Sequence, residues 1–274
     1  PHANLIAYET PDFSHLSIVD AYQRAVNDNL ATVVAASFGE CESDDPTFDN
    51  AVESMAIDAA AIGMTFVAAS GDQGSACYSV PQTRNVAGVQ VPGDSPHVLA
   101  VGGNDSDATI GAANPVVWNG NNGFFIGASG GGVSSLWPIP SYQSGLAGAA
   151  SAANRNVPDI SFPAVDDDVY LFGGDQVLGG TTWSTSIAAA LIAQTAEICG
   201  PLGYVNPAIY NALATGGEGT SFIDVTSGDN HYASIAPFYA AAAGYDNASG
   251  IGMPNGIKFA AALCGKTTSL LRRR

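Results

Sequence analysis

Hydroxyl-bearing residues crowd the start of one long apolar run: Gly179-Gly180-Thr181-Thr182-Trp183-Ser184 leads into a segment that ends at Cys199. Two glycines allow a sharp bend and a close approach of backbone to another group. From Thr185 to Ile198 the sequence is apolar on nearly every side, which predicts a helix enclosed by other elements. The start of such a helix offers unpaired N–H groups and a partial positive charge beside its hydroxyls, an arrangement suited to a nucleophile or an anion. Taken alone, the stretch is better read as a buried Gly- and Ala-rich helix with an ordinary cap. A second candidate is Asp72, in Ser70-Gly71-Asp72-Gln73-Gly74-Ser75. An aspartate between glycines is by itself better read as a turn former. Its place just after a predicted strand adds weight, because open α/β sheets collect functional groups at the carboxyl ends of their strands.

The surrounding periodicities supply a frame for these two groups. Residues 4–8 and the continuous apolar runs 32–37 and 64–69 read as strands, and PHVLAVGG over 96–103 reads as a fourth. Helical spacing covers 16–29, with Ser14 or Ser17 available as cap, and 47–62, with Gly63 as its stop. Alternation of strand and helix with short links predicts a mainly parallel central sheet with helices on both faces. Residues 104–125 read as hairpins or an excursion over the rim. Pro207 opens a helix through 214, and a last one covers 257–263. Between them, 222–256 is rich in Gly, Asn and Asp without regular period, yet aromatic enough to be ordered. His97 beside Pro96 reads as structural, since no Ser or Cys motif accompanies it.

Composition narrows the class. Charged residues are 12% of the chain, about half the usual share, and 25 acidic against 8 basic side chains give a net charge of −17. Phosphate binding needs clustered Lys and Arg, so no nucleic acid is expected. The isoelectric point near 4.1 suits acidic surroundings, where the self-repulsion of such a surface fades. No apolar run is long enough for a membrane span, and a chain opening at Pro1 reads as a processed or trimmed product. The four cysteines lack zinc-ligand spacing. Cys41 and Cys77 follow neighbouring strands, while Cys199 and Cys264 end two helices, so the pairs 41–77 and 199–264 are expected, implying an oxidising compartment. Sequons begin at Asn104 and Asn247.

Gly179-Gly180-Thr181 followed by a hydroxyl residue resembles the nucleophile motif of the sedolisins, the serine-carboxyl peptidases. Thr182 stands where the family has its serine. Ser70-Gly71-Asp72-Gln73-Gly74 resembles the family loop that supplies the oxyanion-hole aspartate, and Val157-Pro158-Asp159-Ile160-Ser161 resembles its Pro-Asp-Val/Ile-Ser segment. The resemblance covers nearly all of the chain. It implies a subtilisin-like fold with 1–266 as one peptidase domain, truncated at its N-terminal side, and 267–274 as a tail. It also implies an acid-acting endopeptidase in a secreted or otherwise acidic, oxidising compartment. A carboxyl group donates a hydrogen bond to an oxyanion only while protonated, which agrees with the low isoelectric point. Ser129, Gly130, Gly131 and Gly132 are expected to wall a cleft in which substrate backbone adds as a strand, with Asp159 facing the pocket. A Ca²⁺ site near the C-terminus is implied at Asp224, Val225, Ala242, Gly244 and Asp246, an oxygen-only set.

The family mechanism also needs a glutamate base and an orienting aspartate on one helix, ahead of the segment matched to 4–8. Neither Glu9 with Asp12 nor Glu40 with Glu42 replaces them. The methyl of Thr182 further crowds the attacking oxygen. The expectation is therefore a peptidase domain that is inactive or impaired by itself. Its missing acids would be supplied by a separate N-terminal fragment of the same precursor. The alternative is a non-catalytic peptide-binding or assembly protein on the same fold. A subtilisin-like enzyme with a histidine base is disfavoured, because no His-Gly helix motif is present.

Overall fold

A computed structural model describes residues 3–106, 114–120, 126–165, 167–216, 221–232, 234, 235 and 237–265. The proposed tail, 267–274, lies outside the described residues. Four parallel strands form the centre in sequence order: β1 (Val33–Ala36), β2 (Thr65–Ala69), β3 (Leu99–Asp105) and β4 (Ile160–Pro163). Val33 pairs with Thr65, Val67 with Leu99, and Val101 with Ile160. A short strand, Val116–Val117, joins the end of β3 antiparallel, so part of the expected excursion adds to the sheet. Its remaining residues, 107–113 and 121–125, lie outside the described residues.

Side chains alternate between the two faces of these strands, and each face has its own helices. Helix α1 (His15–Asp28) is capped by Ser14, whose hydroxyl accepts from Ser17 N. Helix α2 (Pro46–Ala61) is capped by Asp45, with Pro46 in its first turn. Ile18, Tyr22, Phe48, Val52 and Ala56 from these helices meet Ala36, Phe66, Ala68 and Val98 on one face. Helix α3 (Thr181–Cys199) covers the other, where Ala188 and Ile192 join Val67, Leu99, Val101 and Ile160. Helices α4 (Asn206–Gly216) and α5 (Gly256–Leu263) complete that side through Ile209, Tyr210 and Phe259. Burying one such side chain contributes about 1.5–3 kcal/mol, so the central helix is fixed by its surroundings and needs no side-chain cap. The result is a three-layer, subtilisin-like α/β fold with a mixed, mainly parallel sheet.

The expected strand at 4–8 is absent. Residues 3–10 have no regular secondary structure, and a strand exists only through a ladder partner. Ile6, Ala7 and Tyr8 instead line an apolar cavity of about 300 Å³ against α1 and β1, and the Tyr8 hydroxyl reaches Asp28 on α1. Both cysteine pairs are joined, with Cα–Cα distances of 5.2 Å for Cys41–Cys77 and 5.6 Å for Cys199–Cys264. The two sequon asparagines, Asn104 and Asn247, are buried. Asn104 donates to Ser161 and Asn247 to the Gly132 carbonyl, which leaves neither amide open to a glycan. Among the described residues no helix is long and apolar enough to cross a membrane.

Candidate active site

Asp72 and the start of α3 meet at one end of the sheet, through Thr181, the neighbour of Thr182. The Asp72 loop leaves β2, and α3 begins two residues after Gly179. Asp72 Oδ1 accepts from Thr181 N at 2.8 Å and from Thr181 Oγ1 at 2.7 Å. The carboxylate therefore satisfies a donor at the helix start that would otherwise lack a partner. Asp72 Oδ2 lies against Gly180, where an added Cβ would fall 2.9 Å from it; φ there is +93°, so only glycine serves. Oδ1 is thus held by two donors, and Oδ2 takes part in neither bond.

Thr182 follows immediately in the first turn of α3. Its Oγ1 donates to the Ser37 carbonyl, just past β1, at 3.2 Å. Ser184 Oγ donates to the Phe162 and Pro163 carbonyls at the end of β4. The carboxyl ends of β1, β2 and β4 thus all grip the first turn of one helix. Ser37-Phe38-Gly39 was missed from the sequence. The segment follows β1 as the Asp72 loop follows β2, and the rule that placed Asp72 would have found it. Phe38 is part exposed, and a Cβ on Gly39 would sit within 2.3 Å of the Val91 carbonyl oxygen.

Two expected roles are corrected. Ser129, Gly130 and Gly131 do not present a free edge to a cleft: Ser129 is fully buried, and its hydroxyl donates to the Ala248 carbonyl at 2.7 Å. Gly130 N donates to the Gly71 carbonyl at 2.8 Å, Gly131 N to Gly74 at 3.1 Å, and Ala128 N to Asp72 at 3.0 Å. The segment buttresses the Asp72 loop from behind. Its glycines permit that approach, since a Cβ on Gly130 would come within 2.1 Å of the Ser70 carbonyl oxygen. Gly132 pairs with Val157 and lines a cavity of about 170 Å³ with Glu42, Ser75, Ser135 and Tyr239.

Asp159 is likewise turned inward. It is fully buried, and Arg155 grips it with two bonds of 2.9 and 2.8 Å. Tyr210 Oη donates to it at 2.8 Å and Ala100 N at 2.8 Å. A buried carboxylate needs a charge partner and filled lone pairs, and this one has both, so it holds β3, β4 and α4 together and does not face a pocket. His97 pairs with Glu53, in keeping with a structural role.

The two carboxylates expected to bind calcium accept hydrogen bonds from the 242–246 turn. Asp224 Oδ2 accepts from Gly244 N at 2.9 Å, and Asp246 Oδ2 from Ala242 N at 3.0 Å, while Val225 is buried beneath the same turn. Burial pushes the Asp246 carboxyl up, against the pull of N–H groups from Ala242, Ser249 and Ala248. Among the described residues no three His, Cys, Asp or Glu side chains form a metal-ready group. A cation here would draw on backbone carbonyls as well as the two carboxylates.

Comparison with known proteins agrees with this geometry. A family model described as the subtilase family matches residues 1–198. Kumamolisin of Bacillus sp. (strain MN-32) is 34% identical over 276 residues, covering 96% of this chain and 48% of that protein. Sedolisin of Pseudomonas sp. (strain 101) is 34% identical over 252 residues, covering 86% of this chain and 41% of that protein. The chain thus spans about half, or less, of these curated relatives. The solved structure of Pseudomonas sedolisin, a serine-carboxyl proteinase complexed with two molecules of pseudo-iodotyrostatin, aligns with a TM-score of 0.81 at 30% identity, over 94% of this chain and 72% of that one. Family model, sequence relatives and solved structure converge with the paired Asp72 and α3 start on one assignment: the chain belongs to the sedolisin family of the subtilases.

Proposed function

We propose that this chain carries the oxyanion and hydroxyl half of an acid-acting peptidase site, and that alone it is catalytically impaired. The observation behind this is the Asp72 carboxyl seated on the first turn of α3, one residue from Thr182. A protonated Asp72 would stabilise the oxyanion formed when a peptide carbonyl is attacked. Thr182 Oγ1 would be the attacking atom, but it gives its proton to the Ser37 carbonyl, which cannot act as a base. A nucleophile without its base loses most of its rate, so turnover would require a carboxylate brought from outside these 274 residues. Residues beyond this stretch of sequence could supply that carboxylate, and the substrate would be a peptide or protein. Two disulfides favour an oxidising, extracellular or lysosome-like setting.

Peptide hydrolysis and peptide binding at pH 3 to 5 test this reading. The chain and its Thr182→Ser variant should both bind a mixed peptide library, neither should turn it over, and Asp72→Ala should weaken binding of a peptide aldehyde whose adduct carries an oxyanion. Turnover by the unmodified chain would overturn the impairment. Absence of both binding and turnover would remove the peptidase reading.

We further propose a structural Ca²⁺ at the 242–246 turn, ligated by the carboxylates of Asp224 and Asp246 and the backbone carbonyls of Val225, Ala242 and Gly244. This hard-oxygen set fits calcium, and both aspartates lie against the 242–246 turn whose carbonyls would complete it. Binding only the folded chain stabilises it by about 2.7 kcal/mol at one hundred times Kd, so a chelator should lower Tm by about 5 °C or more. Asp246→Ala should abolish that response. An unchanged Tm in chelator would sink the site.

A further inference from the structure

Helix α2 conceals acidic groups that the peptidase reading does not use. Asp49, in the first turn of α2, is wholly buried, and neither of its carboxyl oxygens has a hydrogen-bond partner. Asp94 is equally buried; one of its oxygens accepts from Trp137 Nε1 at 2.9 Å, and the other has no partner. Glu42 beside them is satisfied by Ser134 Oγ at 2.6 Å and by the Ser135 amide.

The neighbouring cations leave both carboxylates without an ion-pair partner. Arg155 reaches Asp94 only through its backbone carbonyl and spends its guanidinium forks on Asp159. His15 bridges Glu40 and Asp45 at 2.8 Å each, and His97 is taken by Glu53. A carboxylate sealed from water without a partner is among the costliest groups a fold can hold, and it is normally relieved by taking up a proton.

We propose that Asp49 and Asp94 form a proton-operated lock: α2 closes over them only when they are protonated, so the fold is held in acid and loosens as the medium turns neutral to alkaline. The cluster's own electrostatics support this. Burial, then the nearby charges of Asp94, Glu42, Glu40 and Asp45, push Asp49 up to about 9. Burial, then Glu42, push Asp94 up to about 7, against the pull of Trp137 and Arg155. Both groups titrate near 3.8 ordinarily. The folded state therefore binds the extra protons. Their stabilisation is complete below about pH 4 and is lost as pH climbs through the folded values. His15 acts in the same sense: burial works against its protonation, but Glu40 and Asp45 outweigh that and raise it.

The lock does not depend on the peptidase reading, and thermal unfolding of the full chain from pH 4 to pH 9 tests it directly. The parent should lose about 10 °C or more in Tm between pH 5 and pH 8, a shift expected of several kcal/mol in a chain this size. Asp49→Asn keeps the shape but cannot ionise. It should match the parent within about 2 °C at pH 4 and exceed it by about 5 °C or more at pH 8. Asp94→Asn should act likewise at a lower pH, and it serves if Asp49→Asn does not fold. A parent Tm flat across this range, or Asn variants that keep the parent's slope, would overturn the lock. So would a Ca²⁺-dependent rise at pH 8 that Asp49→Asn removes, since the cluster would then hold a cation and not protons.

Discussion

Asp159→Ala should unfold the chain more readily than any active-site change, lowering stability by about 3–5 kcal/mol, because it strands the buried Arg155 guanidinium without its partner. Tyr210 and the Ala100 amide lose their acceptor in the same stroke. At about 2–4 °C per kcal/mol the Tm should drop by 6 °C at the least, readable by circular dichroism at pH 5. The control is a double change, Arg155→Met with Asp159→Leu. If the loss comes from an orphaned charge and not from the missing pair, the double variant should recover much of it. A double variant no better than Asp159→Ala would show that the pair itself supplies the stability.

Reduction of the two disulfides should have a comparable effect. The Cys41–Cys77 bridge closes 36 residues and Cys199–Cys264 closes 65. Loop-closure entropy gives about 3.8 and 4.3 kcal/mol for loops of these lengths, with about 2–4 kcal/mol each the usual yield. The first bridge staples the strand ends behind the Asp72 loop, and the second ties the end of α3 to α5. Both cysteine pairs replaced by serine should therefore give a chain with Tm lower by at least about 8 °C, or one that does not fold at 37 °C. A loss of under about 2 °C would mean that packing alone holds these ends together.

The central strands and helices were legible because their side-chain periods are strong and their caps lie where the chemistry puts them. Ser14 and Gly63 stop or start helices as expected, and every predicted helix from α1 to α5 exists within a few residues. Asp72 was placed beyond a strand's carboxyl end and Thr182 at the start of the apolar helix, and the structure joins the two segments through Thr181. The failures share a cause. Ser129 and Asp159 were expected at the cleft from the family resemblance of their segments. Sequence does not reveal that Arg155, four residues before Asp159, folds back to meet it, nor that Gly130 and Gly131 touch backbone that is 59 and 57 residues away. Residues 4–8 look like a strand by composition, but a ladder partner is a tertiary fact. The Asp49 and Asp94 pair was invisible for the same reason: 45 residues separate two acids that share one dry space.

The grip of three strand ends on the first turn of α3 has one further consequence. The first turn of α3 does not ride on a flexible loop; Thr182 ties it to Ser37 after β1, Thr181 to Asp72 after β2, and Ser184 to the end of β4, so its placement is a property of the folded core. Weakening any layer of the molecule should disorder this turn and melt the scaffold in a single cooperative event, with no temperature at which a sound body carries a disordered centre.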